Sequence, residues 1–221
     1  MNSRLKRLAV LAGGSCLWCV FAVPLQAGTL TLDAGQCDRM AVIDQNAPRL
    51  SWASSANAGG EYSTTSLVLQ PGRGFLIHFD LSQIPDGQRI ASAELLVPVS
   101  GAVGSDPRFF VWRLVSDWGL GVCWDNSMQK PAKQAWAVPG ARGPGLDRSL
   151  KPSAVVRETQ ARIVQINVTE DVALWQAKAA PQQGWIFTVE DPGTWFSFRA
   201  PFWDAASQWT LQITYEPEVG E

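Results

Sequence analysis

The chain has 221 residues, 46% of them hydrophobic and 17% charged, with a formal net charge of −2. Beyond a basic leader, the remainder carries 15 Lys and Arg against 20 Asp and Glu, a net charge of −5, which argues against nucleic acid and polyanionic surfaces as partners. About 190 residues are enough for one all-β domain with a full core.

Residues 1–27 read as a secretory signal peptide, with Arg4, Lys6 and Arg7 at a basic start, an apolar middle over residues 8–23, and Pro24-Leu25-Gln26-Ala27 as the cleavage end. The expected address is therefore outside the cytoplasm, secreted to the extracellular space or the periplasm. A permanent anchor is the weaker reading, because a spanning helix needs about 20 apolar residues; no membrane span is expected after signal cleavage. Residues 28–221 then form one domain. Cys16 and Cys19 leave with the signal, so Cys37 and Cys123 remain in a chain addressed to an oxidising compartment. They are expected to form a disulfide that ties the first strand region to the segment before Trp124, worth roughly 4 kcal/mol by chain entropy; two buried free thiols are the alternative.

Thr29-Leu30-Thr31-Leu32-Asp33 is a short alternating strand, and a second strand is expected over residues 63–69. The strongest pattern lies in residues 75–99. Phe75, Ile77, Phe79 and Leu81 alternate with Leu76, His78, Asp80 and Ser82, a period of two that puts one row on a core face. Pro85-Asp86-Gly87 supplies turn chemistry, and Ala93, Leu95, Val97 and Val99 begin a second alternation. Pro98 has no N–H for a ladder, which suggests an edge or a strand end there.

Residues 109–115 read as a third core strand, followed by Trp118 and Trp124 around a glycine-bearing turn. Residues 127–160 are broken by Pro131, Pro139, Gly140, Gly143, Pro144, Gly145 and Pro152, so they form a long surface connection, with Trp136 inside it. Residues 163–168 are a strand. Thr169 then suits a helix N-cap, Glu170 and Asp171 suit the positive helix end, and Val172 and Trp175 share a face. Asn167-Val168-Thr169 matches a glycosylation sequon but falls in a strand and is discounted. Residues 185–189, 195–200 and 208–215 supply the closing strands, and no internal repeat is present.

Phe79-Asp80-Leu81-Ser82, Pro85, Gly87, Ile90, Ala93, Leu95 and Val97 resemble the centre of the DNRLRE-type domain, a secreted β-sandwich family. The likeness continues in order through Val111-Trp112-Arg113-Leu114, Asp117-Trp118, Val122-Cys123-Trp124-Asp125-Asn126, the segment from Ile166 to Trp175, Gly184-Trp185-Ile186-Phe187 and Leu211-Gln212-Ile213-Thr214-Tyr215. The chain departs from that pattern at Ser197-Phe198-Arg199-Ala200, which lacks an acid, and at Gly119-Leu120-Gly121, so no carboxylate role carries over to either place. The resemblance implies a non-catalytic module: some relatives are described as family 96 carbohydrate-binding modules for uronate polysaccharides, others as parts of adhesion and cell-surface proteins.

Catalytic motifs are absent: residues 28–221 hold no G-x-S-x-G, H-E-x-x-H or C-x-x-C, so no enzyme, no catalytic residue and no zinc or other metal site are expected. His78, the only histidine, reads as a surface or cross-strand residue. Asp117 and Asp125 flank the Trp118–Trp124 turn, where capping explains them better than glycoside hydrolysis. No cofactor is expected. Asp33, Asp38 and Asp44 offer the oxygen ligands that calcium takes, but the D-x-D-x-D-G spacing is missing, so a structural calcium has no motif behind it.

Ten of the eleven tryptophans follow the signal, against two tyrosines in all. Trp112 and Trp175 are expected in the core. Trp118, Trp124, Trp136, Trp195 and Trp203 lie near turns and loops, where an indole face stacks on sugar rings. The sequence therefore points to an all-β, jelly-roll-type antiparallel β-sandwich of about ten strands with one short helix. The expected activity is non-catalytic binding of an extracellular or cell-wall polysaccharide through Trp118, Trp124, Trp136, Trp203 and Arg199. A uronate binder would also need a basic groove, for which Arg108, Arg113, Lys151, Arg157 and Arg199 are available. The alternative is a structural or adhesive envelope or matrix protein with a protein partner.

Overall fold

The structure is a computed structural model and describes residues 27–33, 36–54, 66–157, 162–199 and 209–217. The expected signal peptide over residues 1–27 lies outside the described residues except for Ala27, and Trp203 lies outside them as well.

The strands are β1 (Gly28–Asp33), β2 (Cys37–Asp44), β3 (Trp52–Ser54), β4 (Ser66–Leu69), β5 (Arg73–Phe79), β6 (Gln88–Val103), β7 (Phe109–Arg113), β8 (Asn126–Met128), β9 (Gln134–Ala135), β10 (Ala154–Val156), β11 (Ile163–Asn167), β12 (Trp185–Thr188), β13 (Trp195–Arg199) and β14 (Thr210–Pro217), with one helix, α1 (Thr169–Gln176). They form two antiparallel six-stranded sheets and a small β8–β9 ribbon. The first sheet runs β1-β14-β6-β13-β4, with β11 also on β6; the second runs β10-β7-β12-β5-β2-β3. From β4 to β7 the chain changes sheet at every strand, and it does so again from β10 to β13. This is the expected all-β sandwich with one short helix. Of the strands the sequence reading does not name, β3, β8, β9 and β10 are two- and three-residue segments, too short to show a period, but β2 has eight residues and is missed because Met40, Ala41, Val42 and Ile43 are buried on both faces and show no alternation.

The core follows from the pleat. Phe75, Ile77 and Phe79 of β5, Phe109 and Val111 of β7, and Trp185 and Phe187 of β12 face Leu95 and Val97 of β6, Phe196 and Phe198 of β13, and Leu211 and Ile213 of β14. Ring pairs tie one sheet to the other: Phe109 meets Phe196 edge-on at 5.0 Å, and Phe75 meets Trp209 edge-on at 4.8 Å. Such pairs add about 0.5–1.5 kcal/mol each beyond burial.

Residues 80–87 do not close a hairpin. They cross from the second sheet to the first, with Leu81 and Ile84 buried along the way and Gly87 at φ 74°, the positive φ expected of that turn. Pro98 is at neither an edge nor a strand end, because β6 continues for another five residues to Val103 and is the most connected strand of its sheet. Its missing N–H falls at a change of neighbours: pairing with β14 ends at Leu96, pairing with β11 ends at Pro98, and pairing with β13 begins at Val99.

Helix α1 buries Asp171, Val172 and Trp175, as its sequence suggests, but Thr169 is its first residue rather than its cap. The Thr169 hydroxyl instead accepts the Ala93 N–H at 2.9 Å, which latches the helix to β6, and Asn167 Oδ1 accepts the Thr169 N–H at 3.0 Å. Among the described residues no helix is long and apolar enough to cross a membrane.

Candidate functional site

The two sheets differ in what lies outside them. On the second sheet the outward row is also apolar, namely Ala41 and Ile43 of β2, Leu76 of β5 and Ile186 of β12, and residues 114–153 fold over it as a third layer. Strand β5 is therefore buried on both faces from Gly74 to Phe79, where alternation alone implies one. Trp118 and Trp136 belong to this layer at 1% and 4% exposure. Their N–H groups donate to Gln183 O at 2.8 Å and Cys123 O at 2.9 Å. The expectation that they stack on a ligand is corrected: an indole sealed on both faces with its donor used is a core residue. The expected turn between Trp118 and Trp124 is present, with Val122 N–H donating to Gly119 O at 2.9 Å. Trp124 is half-buried, and a side chain at Gly140 would meet its ring within 2.6 Å, so the glycine lets the backbone lie on the indole.

Asp147, fully buried, pins the layer. Its carboxylate accepts the N–H groups of Ala137 at 2.8 Å, Val138 at 2.9 Å and Gly143 at 2.9 Å.

Cys37 and Cys123 are separate buried thiols, not a disulfide. Cys37 packs in the core between the sheets and donates to His78 O at 2.9 Å, whereas Cys123 lies in the outer layer and accepts from Asn126 Nδ2 at 3.3 Å, so the second sheet separates them. Burial pushes the Cys37 thiol up to about 12, against the hydrogen bonds at His78 and Arg39, and leaves it protonated and inert.

Next to Cys37, His78 is buried, not on the surface. Its Nδ1 bonds Asp38 of the neighbouring strand, the cross-strand role expected of it, and its Nε2 lies 3.2 Å from Gln182 O. Arg39 lies over the Trp118 ring at 5.0 Å and bonds Asp117 at 3.2 Å, and Asp117 also accepts the Trp118 N–H at 2.9 Å. Asp125 lies 4.0 Å from Arg49. Asp117 and Asp125 thus have local turn and pairing roles. Asp44 pairs with Arg73, and among the described residues no three His, Cys, Asp or Glu side chains gather as a metal site would need.

Most of the basic residues proposed for a groove are committed elsewhere. Arg108 grips Asp191 with two bonds, at 2.7 and 3.2 Å, and Arg157 lies 3.9 Å from Asp106. Arg113 pairs at 3.1 Å with the buried Asp171, whose other oxygen takes the Trp185 N–H at 2.7 Å. This network joins α1 to the second sheet and is structural. Lys151 stands exposed.

Arg199 is different. Strand β13 alternates Trp195, Ser197 and Arg199 outward with Phe196 and Phe198 in the core. Trp195 is 38% exposed beside its partner Val103, which is exposed as well. Ser197 faces Gly101, where an added side chain would meet nothing within 4 Å, and the Ser100 hydroxyl donates to Ser197 O at 3.0 Å and lies 2.9 Å from Ser197 Oγ. At the far end, Arg199 and Arg162 line a cleft of about 460 Å³ with Pro98, Val99, Ser100 and Ile163. Neither arginine has an ion pair among the described residues. From Trp195 to Arg199 the row spans about 13 Å at the usual strand rise, the length of two to three sugar units. The sequence reading has Arg199 in its binding set and Trp195 only among the wider tryptophan candidates, and it misses Ser100, Ser197 and Arg162, although the period of two in residues 195–199 is available to find Ser197.

A larger cleft of about 610 Å³ lies at the helix end of the sandwich. Its polar groups are engaged locally, Asp80 with Ser82 and Asp86 with Lys178, and the Trp175 indole packs on Trp185 at 4.7 Å instead of opening to solvent.

No family model matches the sequence, and neither does any curated protein.

Proposed function

We propose that the protein is a secreted, non-catalytic module that binds an acidic polysaccharide along the outward face of β13 and the adjoining stretch of β6. The observation that carries this reading is the row Trp195, Ser197, Arg199, with Ser100 and Arg162 beside it. An exposed indole offers a flat apolar face to a sugar ring, the serines offer hydroxyl partners, and two guanidiniums without carboxylate partners among the described residues suit the carboxylates of a uronate, which arginine takes in bidentate fashion. The site is local, which reconciles it with a net charge of −5 outside the signal. The DNRLRE-type resemblance and the signal-like leader support the same reading.

The test is affinity electrophoresis through gels holding a polyuronate or a neutral glucan. Wild type is expected to be retarded by the polyuronate, and Trp195→Ala and Arg199→Ala are each expected to weaken retention about tenfold, some 1.4 kcal/mol, while remaining folded. Absence of retardation in every gel would overturn the reading. It would favour the structural or adhesive alternative, for which the exposed Leu120, Leu146 and Leu150 of the outer layer are the specific motive.

A further inference from the structure

A second groove, of about 230 Å³, opens at the margin of the outer layer, with Trp124, Gly140, Arg142, Thr188 and Glu190 among its walls. Beside it Phe110, Trp112 and Arg148 form a stack on the outer face of β7. The Phe110 and Trp112 rings lie 6.0 Å apart at 27°, and the Arg148 guanidinium sits 3.8 Å from the Trp112 ring centre. Arg148 is only 8% exposed, and its Nε and Nη1 are buried with no hydrogen-bond acceptor. A buried guanidinium with unused donors is costly.

Two carboxylates lie near Arg148. Asp147 is taken up by the backbone N–H groups of the layer. Glu190 is stretched between two arginines, its Oε1 3.5 Å from Arg148 Nη1 and its Oε2 3.8 Å from Arg142 Nη2. Charge-assisted bonds are ordinarily about 2.7–2.9 Å, so one carboxylate is shared between two cations and satisfies neither. Arg73 is paired with Asp44 at 2.9 Å, and Glu190 and Asp147 balance Arg142 and Arg148 in charge, so what Arg148 lacks is a hydrogen-bond acceptor rather than a counter-charge. Glu190 itself is held in place: Trp112 Nε1 donates to Thr188 Oγ1 at 3.1 Å, and Thr188 Oγ1 donates to Glu190 Oε1 at 3.2 Å.

The geometry points to a second binding site in this groove, for the carboxylate or phosphate group of a small ligand received by Arg142, which lines it, with Arg148 lying behind Glu190 and Glu190 as the built-in competitor for both guanidiniums. The groove lies on the second sheet and does not depend on the polysaccharide reading of the first. Its volume suits a ligand below the usual size for small-molecule pockets, about 300 Å³ and upward.

The experiment is a ¹H–¹⁵N titration of the mature chain with inorganic phosphate and, separately, acetate, against sodium chloride at matched ionic strength. The Trp112 Nε1–H and Arg148 Nε–H signals are expected to shift saturably, and Trp118 Nε1–H, sealed in the layer, to stay fixed as the fold control. Arg142→Ala is expected to abolish saturation. Glu190→Gln keeps an acceptor for Thr188 but removes the competing charge, and is expected to tighten anion binding about tenfold. Saturation by phosphate alone assigns phosphate esters, and saturation by acetate assigns carboxylates. Shifts that merely track sodium chloride, or binding that Glu190→Gln weakens, would overturn the proposal and leave the cluster as a structural brace.

Discussion

On β12, Ile186 alternates with Trp185 and Phe187; on β13, Ser197 alternates with Phe196 and Phe198. Both strands sit inside a sheet and give their aromatic rows to the same core, yet Ile186 is fully buried whereas Trp195 and Arg199 meet solvent. The difference comes from residues 114–153, which cover the outer face of the second sheet and leave the β13 face open. A covered face can use its tryptophans only for packing. On the β13 face an exposed indole and arginines with no ion pair among the described residues add little to packing, which is why they read as a binding surface.

The sharpest way to break this comparison is to truncate one indole on each side. Trp136→Ala or Trp118→Ala is expected to cost about 3–5 kcal/mol in denaturant unfolding, since each leaves a cavity and an unpaired carbonyl. Trp195→Ala is expected to stay within about 0.5 kcal/mol of wild type while losing glycan retention. Equal stability losses at Trp136 and Trp195 would erase the distinction between the two faces.

A smaller effect sharpens how the cover is held. Asp147→Asn removes the charge from three hydrogen bonds and turns one carboxylate oxygen into a donor facing N–H groups. The expected loss is about 1.5–3 kcal/mol, with hydrogen exchange accelerating first at the amides of Ala137, Val138 and Gly143 while β6 and β14 stay protected. Uniform acceleration across both sheets would show that the layer is not a separable cover.

The smallest effect concerns pH at the cover's edge. Burial pushes the Asp38 carboxyl up, but the hydrogen bond from His78 and the charges of His78 and Arg39 outweigh it and hold the group below the usual carboxylate range. A lowered folded pKa contributes stability that is present above the unfolded value of about 4 and is lost as pH falls through the folded value. Asp38→Asn is therefore expected to flatten the fall in melting temperature below about pH 4 and to leave glycan retention at neutral pH unchanged. An unaltered acid slope would show that Asp38 carries no part of it.

The sandwich itself was legible because a strand's period of two is written locally. Phe75, Ile77 and Phe79, and then Ala93, Leu95 and Val97, announce their inward faces without reference to anything else in the chain, and Val172 and Trp175 do the same for the helix. The site was legible only in part. Arg199 stands in the binding set, but Trp195 is only among the wider candidates while Trp118 and Trp136 are preferred to it, because a loop tryptophan looks the same whether its loop is open or folded onto a sheet.

What the sequence determined by itself was most of the long strands, the core side of those that alternate, and the single short helix, all consequences of spacing and residue type over a few neighbours; β2, buried on both faces, has no alternation to read. Only the tertiary structure decided which outer face is covered, that the sheet between Cys37 and Cys123 keeps them apart, that Pro98 falls where β6 changes neighbours, and that Arg162 comes to lie beside Arg199. Each of these depends on contacts between residues far apart in the chain, which no local period encodes.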